Sequence, residues 1–267
     1  KVPVLVNLKP TGANYMEDFY YAGGMNVFLK EMAPFLKTNT FNIEGKTIAK
    51  IIKENLKSFH DTNVIRTRKD PFESKGGLVA LFGNICPNGA ILKRSAADKS
   101  LFETTGKAFV FEDIKVMSEM IDDPKLSISK NDFLVLKNIG PKTIYGMPEA
   151  GYLPIPKKLL KQGVKDMIRI SDGRMSGTAF GTIILHMSPE ASVKGPFAAV
   201  QTGDQIKLSV KNKTLDLLIS KKELDERLSK IVSKQPKITR GYQKLYYDTV
   251  LQADEGCDFD FLQYKDK

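Results

Sequence analysis

The sequence predicts an α/β protein whose first 75 residues are mainly helical and whose residues 76–267 form one β-rich α/β domain. Three observations predict it. Apolar residues recur at helical spacing before Lys69-Asp70-Pro71-Phe72, the texture changes to short β-branched runs after Gly76-Gly77, and the loops between those runs are short. With 42% hydrophobic and 27% charged residues, a chain of 267 residues can bury a sizeable core.

In the first part, Asn14 and Glu17 have capping-box spacing ahead of a helical stretch from Tyr15 to Leu36. Gly23-Gly24 breaks that stretch or permits a close approach. From Thr47, the residues Ile48, Ile51, Ile52, Leu56 and Phe59 mark one buried helix face. Residues 1–75 are expected to pack helices on the side of the second domain, or to hang without a core of their own. Beyond Gly76, strands are expected at Leu78–Phe82, Lys107–Phe111, Phe133–Leu136, Met167–Ile170, Thr182–Leu185, Ile206–Val210 and Leu215–Ile219. Helices are expected at Ile114–Ile121, Lys157–Gln162, Lys222–Val232 and Tyr242–Gln252.

Charge and cysteine usage exclude several classes. Forty-one Lys+Arg against 31 Asp+Glu leave a net charge of +10, but acidic residues are interleaved throughout, as in Lys221-Lys222-Glu223. Arg66-Thr67-Arg68-Lys69 is too small a cluster for a nucleic-acid groove, so no nucleic-acid partner is expected. Apolar runs fall far short of the ~18 residues that span a bilayer, so no membrane partner is expected either. The two cysteines, Cys86 and Cys257, exclude a disulfide scaffold and make a reduced cytoplasm the default compartment. No signal peptide is expected ahead of Lys1, because Val2 to Val6 already reads as a strand, and the true beginning of the chain is expected to lie elsewhere.

Three loops place polar side chains on turns stiffened by glycine or proline: Gly83 to Ala90, Tyr145 to Glu149, and Ser171 to Thr178. The third follows a strand and brackets Ser176 with glycine, yet it does not match the Gly-x-Ser-x-Gly turn of hydrolases. His60 and His186 are the two histidines available as bases. Read alone, Ser176 is more readily a turn residue bonding its own backbone, and Glu149 a carboxylate at a helix start.

The string Arg169-Ile170-Ser171-Asp172-Gly173-Arg174-Met175-Ser176-Gly177-Thr178-Ala179-Phe180-Gly181-Thr182 resembles the signature of the dihydroxy-acid and sugar-acid dehydratases. Leu185-His186-Met187-Ser188-Pro189-Glu190, Gly146-Met147-Pro148-Glu149, the Gly83–Ala90 loop, Met16-Glu17-Asp18-Phe19, Gly203-Asp204-Gln205-Ile206, Arg240-Gly241-Tyr242 and Asp258 to Leu262 also match, in family order.

The resemblance implies dehydration of a 2,3-dihydroxy acid to a 2-keto acid. A serine alkoxide takes the C2 proton, an iron–sulfur cluster binds the leaving C3 hydroxyl, and Mg²⁺ holds the carboxylate. It assigns Ser176 as the catalytic base and Glu149 as a Mg²⁺ ligand, with Ser171, Asp172, Arg174 and Thr178 against substrate. An Asp172–Arg174 ion pair bracing the turn is the alternative for those two, and a core role is the alternative for His186. By analogy, the Lys9-Pro10-Thr11-Gly12 turn lies near the cleft.

The same resemblance implies a β-barrel-like swivelling β/α C-terminal domain over 76–267, preceded by the helical end of a larger α/β domain over 1–75. It further implies a [2Fe–2S] cluster whose ligands are absent from this chain, because neither Cys86 nor Cys257 falls on a ligand motif and two distant cysteines cannot hold one. The chain alone is therefore expected to be inactive, its missing half either cut away or supplied by another chain. Homo-oligomers are the family expectation. The run Thr178 to Thr182 is similar to the pentonate or hexonate branch, whereas Gly173 is similar to the branch of branched-chain amino-acid synthesis. A sugar acid is the favoured substrate, with a 2,3-dihydroxy acid of amino-acid synthesis as the alternative. A non-catalytic assembly or binding domain is the alternative of another class.

Overall fold

The computed structural model describes residues 2–54, 59–147, 153–176, 179–232 and 236–263. The chain divides into two compact units, Lys1–Gly77 and Leu78–Lys267.

In the first unit, helices α1 (Met16–Tyr21), α2 (Gly24–Met32) and α3 (Ile48–Glu54) accompany isolated bridges such as Val4 to Glu73 and Val6 to Ile65. The break between α1 and α2 falls at Gly23, whose φ is 110° and where a Cβ would lie 2.1 Å from the Phe59 carbonyl oxygen. A side chain is excluded there on both counts. Three sequence expectations are corrected. The start of α1 is capped by Asp18, whose carboxylate accepts the Tyr15 N–H at 2.7 Å, while Asn14 donates its side-chain amide to the Asn7 carbonyl. The face of α3 is only half-buried at Ile48, Ile51 and Ile52, Phe59 is 71% exposed, and Leu56 lies outside the described residues. The unit also has a small core of its own, built from Phe19, Ala22, Val27, Val64 and Ile65.

The second unit is a closed eight-stranded barrel. Its strands are β1 (Val79–Gly83), β2 (Cys86–Leu92), β3 (Glu103–Phe111), β4 (Phe133–Leu136), β5 (Arg169–Ser171), β6 (Ile183–Ser188), β7 (Gln205–Ser209) and β8 (Thr214–Leu217). The order around the barrel is β1-β2-β6-β5-β4-β3-β7-β8, closed by a parallel contact of Phe82 with Thr214. Strands β3, β4, β5 and β6 run parallel to one another. Such strands are covered on both faces, which explains why all four residues of β4 are buried. Phe133 and Val135 point into the barrel core, whereas Leu134 and Leu136 face an outer cluster with Met117, Ile121 and Leu159. The outer layer comprises α4 (Ile114–Met120) and α5 (Lys157–Lys161); α6 (Lys221–Lys230) and α7 (Gly241–Thr249) follow the last strand.

One strand runs against the sequence reading. Gly83 to Ala90 is not a loop, because only Gly83 to Cys86 turns and the chain then continues as β2. Pro87 and Asn88 fall where the β1–β2 register shifts, and pairing with β6 begins at Gly89, so the missing N–H of Pro87 costs no ladder bond. Among the described residues no helix is long and apolar enough to cross a membrane.

Candidate active site

Strand β5 delivers the chain to Asp172, Gly173, Arg174, Met175 and Ser176 at one end of the barrel. Asp172 has no exposed surface, and its carboxylate accepts N–H bonds from Asn138 (3.1 Å), Ile139 (3.1 Å) and Ala191 (3.0 Å). It thereby joins the segments that follow β4, β5 and β6. Burial raises the Asp172 carboxyl to about 7, and the nearby negative Glu190 adds to the rise. Gly173 is required by close approach, since a Cβ would lie 2.5 Å from Cδ1 of Ile139. Ser171 is also fully buried, and its Oγ accepts the Gly173 N–H at 3.0 Å.

Ser176 is exposed, and its carbonyl accepts the Ala179 N–H at 2.9 Å. Arg174 is likewise exposed, and its positive charge is felt at His186. The His186 ring has its pKa lowered, first by burial and then by Arg174, so it is neutral at pH 7. His186 also has a φ of 57°, with its N–H donating to the Gly173 carbonyl at 3.1 Å. Asn138 and Met147 adopt the same left-handed region, at 61° and 55°. Three non-glycine residues in that conformation around one loop end mark a backbone over-determined by its surroundings.

Glu149 and Thr178 lie outside the described residues. Their neighbours do not: the Met147 N–H donates to the Gly140 carbonyl at 3.1 Å, and the Gly146 carbonyl accepts the Tyr246 hydroxyl at 3.4 Å. A cleft of about 270 Å³ between residues 143–146 and α7 is lined by Tyr145, Tyr242, Tyr246 and Tyr247. Met147 Sδ lies 3.8 Å from Cys257 Sγ.

Of the residues the sequence singles out, the structure therefore brings Ser176 and Arg174 to the surface and commits Ser171 and Asp172 to holding the turn. Asp172 is fully buried and its carboxylate accepts three backbone N–H groups, so it braces the turn. The sequence reading missed Glu190, Gln252 and the guanidinium of Arg169. Glu190 is 1% exposed and accepts the Lys142 N–H at 2.7 Å, and burial raises its carboxyl pKa. The signal for it was position alone, at the end of the Leu185–Glu190 string.

The residues present do not fit an iron–sulfur cluster. Cys86 is wholly buried within the barrel core, where burial and the charge of Asp216 push its thiol up to about 12. Cys257 is half-buried beside Met147, and burial raises its pKa as well. Both shifts oppose the thiolate that a metal needs. Among the described residues no three His, Cys, Asp or Glu side chains are grouped to hold a metal ion, so these residues do not make a complete Mg²⁺ site either.

The family model described as dihydroxy-acid/6-phosphogluconate dehydratase C-terminal matches residues 63–257, and the corresponding N-terminal model matches residues 1–51. The chain belongs to the dihydroxy-acid/6-phosphogluconate dehydratase family. It is 44% identical over 266 residues to 6-deoxy-6-sulfo-D-gluconate dehydratase of Pseudomonas putida, covering 98% of this chain and 46% of that protein. It is 45% identical over 264 residues to L-arabinonate dehydratase of Rhizobium leguminosarum, covering 98% and 45%. Identity to dihydroxy-acid dehydratase of Dehalococcoides mccartyi is 38% over 259 residues, covering 96% and 45%. The chain thus spans about half the length of the curated dehydratases it matches. The family match runs through both compact units, and the barrel end carrying Ser176 falls within its C-terminal model.

Proposed function

We propose that the protein carrying this chain is a hydro-lyase that removes water from a 2,3-dihydroxy carboxylate, with a sugar acid as substrate, to give a 2-keto-3-deoxy acid. The observation that carries the proposal is the exposed Ser176 on a turn whose base, Asp172, is buried and braced from three segments. A hydroxyl held on a rigid turn is presented to a ligand at little entropic cost. Identities of 44% and 45% to two sugar-acid dehydratases, against 38% to a dihydroxy-acid dehydratase, support the sugar-acid choice.

In this reading residues 1–75 end a larger N-terminal α/β domain, and residues 76–267 form a swivelling barrel domain. Ser176 takes the proton from C2. Arg174 and Thr178 contact the substrate, and Glu149 supplies one oxygen ligand to Mg²⁺. A [2Fe–2S] cluster would activate the C3 hydroxyl as a leaving group. Its ligands and the remaining Mg²⁺ ligands come from outside this chain, which alone is inactive. The complete enzyme is a homo-oligomer of the cytoplasm.

The test uses the full-length protein and a panel of pentonates, hexonates and branched 2,3-dihydroxy acids. Ser176→Ala lowers kcat by about 10²–10⁴, moves KM little, and stops exchange of the C2 hydrogen with solvent. Glu149→Gln raises the Mg²⁺ concentration needed for half-maximal rate. Normal C2 exchange in Ser176→Ala would remove Ser176 from its role and leave the neutral His186 as the next base.

A further inference from the structure

Arg169 is the first residue of β5, and its guanidinium is buried, with the side chain 3% exposed. Carbonyls from two other segments and a carboxylate accept from the fork. Nη1 donates to the Leu153 carbonyl at 3.0 Å, and Nη2 donates to the Phe180 carbonyl at 2.9 Å and to Asp166 Oδ1 at 3.3 Å. Asp166 is itself held, its carboxylate accepting the Thr182 N–H and hydroxyl and the N–H of Met167. Room for this arrangement depends on Gly181, where a Cβ would lie 2.1 Å from Nη2.

Phe180 follows Ser176 by as many residues as Asp172 precedes it. On one side of Ser176, Asp172 is held through its buried carboxylate; on the other, the Phe180 carbonyl is held by the buried guanidinium, and the Ala179 N–H beside it bonds the Ser176 carbonyl. Burying an ion pair contributes little to stability compared with apolar residues of the same volume. A planar five-donor fork does something an apolar side chain cannot, which is to fix two carbonyls from different segments at a set separation.

We propose that Arg169 is a positioning residue that sets the place of Ser176 by fixing Phe180 against Leu153. The inference rests on the reading of Ser176 as the base. Lysine at this position keeps the charge beside Asp166, but its single ammonium cannot reproduce the flat fork to both carbonyls.

The test is Arg169→Lys in the full-length protein, alongside Ser176→Ala and the double variant. Arg169→Lys is expected to melt cooperatively, to lose about tenfold or more in kcat, and to change KM by less than about threefold. Amides of residues 174–182 should exchange with deuterium about tenfold faster than in the parent. In the Ser176→Ala background, Arg169→Lys should cost no further activity, because it acts through the serine; a merely structural residue would still cost activity there. Parental kcat in Arg169→Lys, or parental exchange over 174–182, overturns the proposal. If Ser176→Ala remains active, the assignment of the base fails instead, and the exchange data alone then decide whether Arg169 positions this stretch. Should Arg169→Lys not fold, Gly181→Ala carries the same measurements by displacing the guanidinium while Arg169 remains. Loss of folding in both variants overturns the proposal, since Arg169 would then serve global stability.

Discussion

Glu190 and Gln252 exchange two hydrogen bonds: the Glu190 N–H donates to Gln252 Oε1 at 2.9 Å, and Gln252 Nε2 donates to Glu190 Oε1 at 2.8 Å. The same Glu190 oxygen accepts the Lys142 N–H at 2.7 Å. Three segments distant in sequence, after β4, after β6 and after α7, thus meet on one buried carboxylate. Ser188 adds a second tie by bonding its hydroxyl to Asp254.

Gln252→Ala removes one acceptor and one donor from a buried group and should destabilise the barrel unit by about 1–3 kcal/mol. Chemical denaturation reads the change. The swapped variant Glu190→Gln with Gln252→Glu keeps one carboxylate and one amide in the pair and should recover most of the loss. A Gln252→Ala midpoint equal to the parent's would mean the clasp carries no stability.

Asp172→Ala leaves three backbone N–H groups buried without their acceptor. The expected loss is about 2–4 kcal/mol, at the high end for a single substitution. Amide exchange of Asn138, Ile139 and Ala191 should accelerate more than that of the rest of the barrel. Uniform acceleration across the barrel would contradict a local brace.

Acid strengthens the unit through Asp172. Its carboxyl stands at about 7 in the folded chain, chiefly because of burial, against about 4 when unfolded. Its contribution is therefore full below pH ~4 and is lost as pH rises towards 7. Glu190, also raised by burial, acts in the same direction. His186 opposes them, because its lowered pKa gives stability above pH ~6.5 that is lost on acidification. Melting temperature should fall between pH 5 and pH 8 in the parent and fall less in Asp172→Ala. A fall of the same size in both proteins would show that another group governs the pH profile.

Gly83→Ala should prevent closure of the barrel. A Cβ there would lie 1.8 Å from the Leu215 carbonyl oxygen and 2.6 Å from its carbonyl carbon, and backbone of a paired strand cannot move aside as a side chain can. The expected cost exceeds about 3 kcal/mol. Gly203→Ala is the control, because its φ of 97° carries only the left-handed penalty and a Cβ there meets no atom within 4 Å, so about 1–2 kcal/mol is expected. Equal losses at the two sites would refute the packing argument.

Local pattern made much of this protein legible. Phe133–Leu136 is a strand at the ends the sequence predicts, and Ile114 does begin a helix, because a run of apolar β-formers and an apolar helical spacing are signals contained within a few residues. The family, too, was readable from short strings spread along the whole chain. Strand β2 was hidden by Pro87 and Gly89, since only the partners β1 and β6 reveal that Pro87 sits at a register shift and owes no ladder bond. What Asp172, Arg169 and Glu190 do was decided by tertiary structure alone. A carboxylate in a Ser-Asp-Gly-Arg string looks the same whether it faces substrate or three backbone amides, and those amides come from residues 138, 139 and 191, which sequence proximity does not connect. Burial then raises the carboxyls of Asp172 and Glu190 and the thiol of Cys86, because the interior disfavours their charged forms, and burial exists only once the barrel has closed.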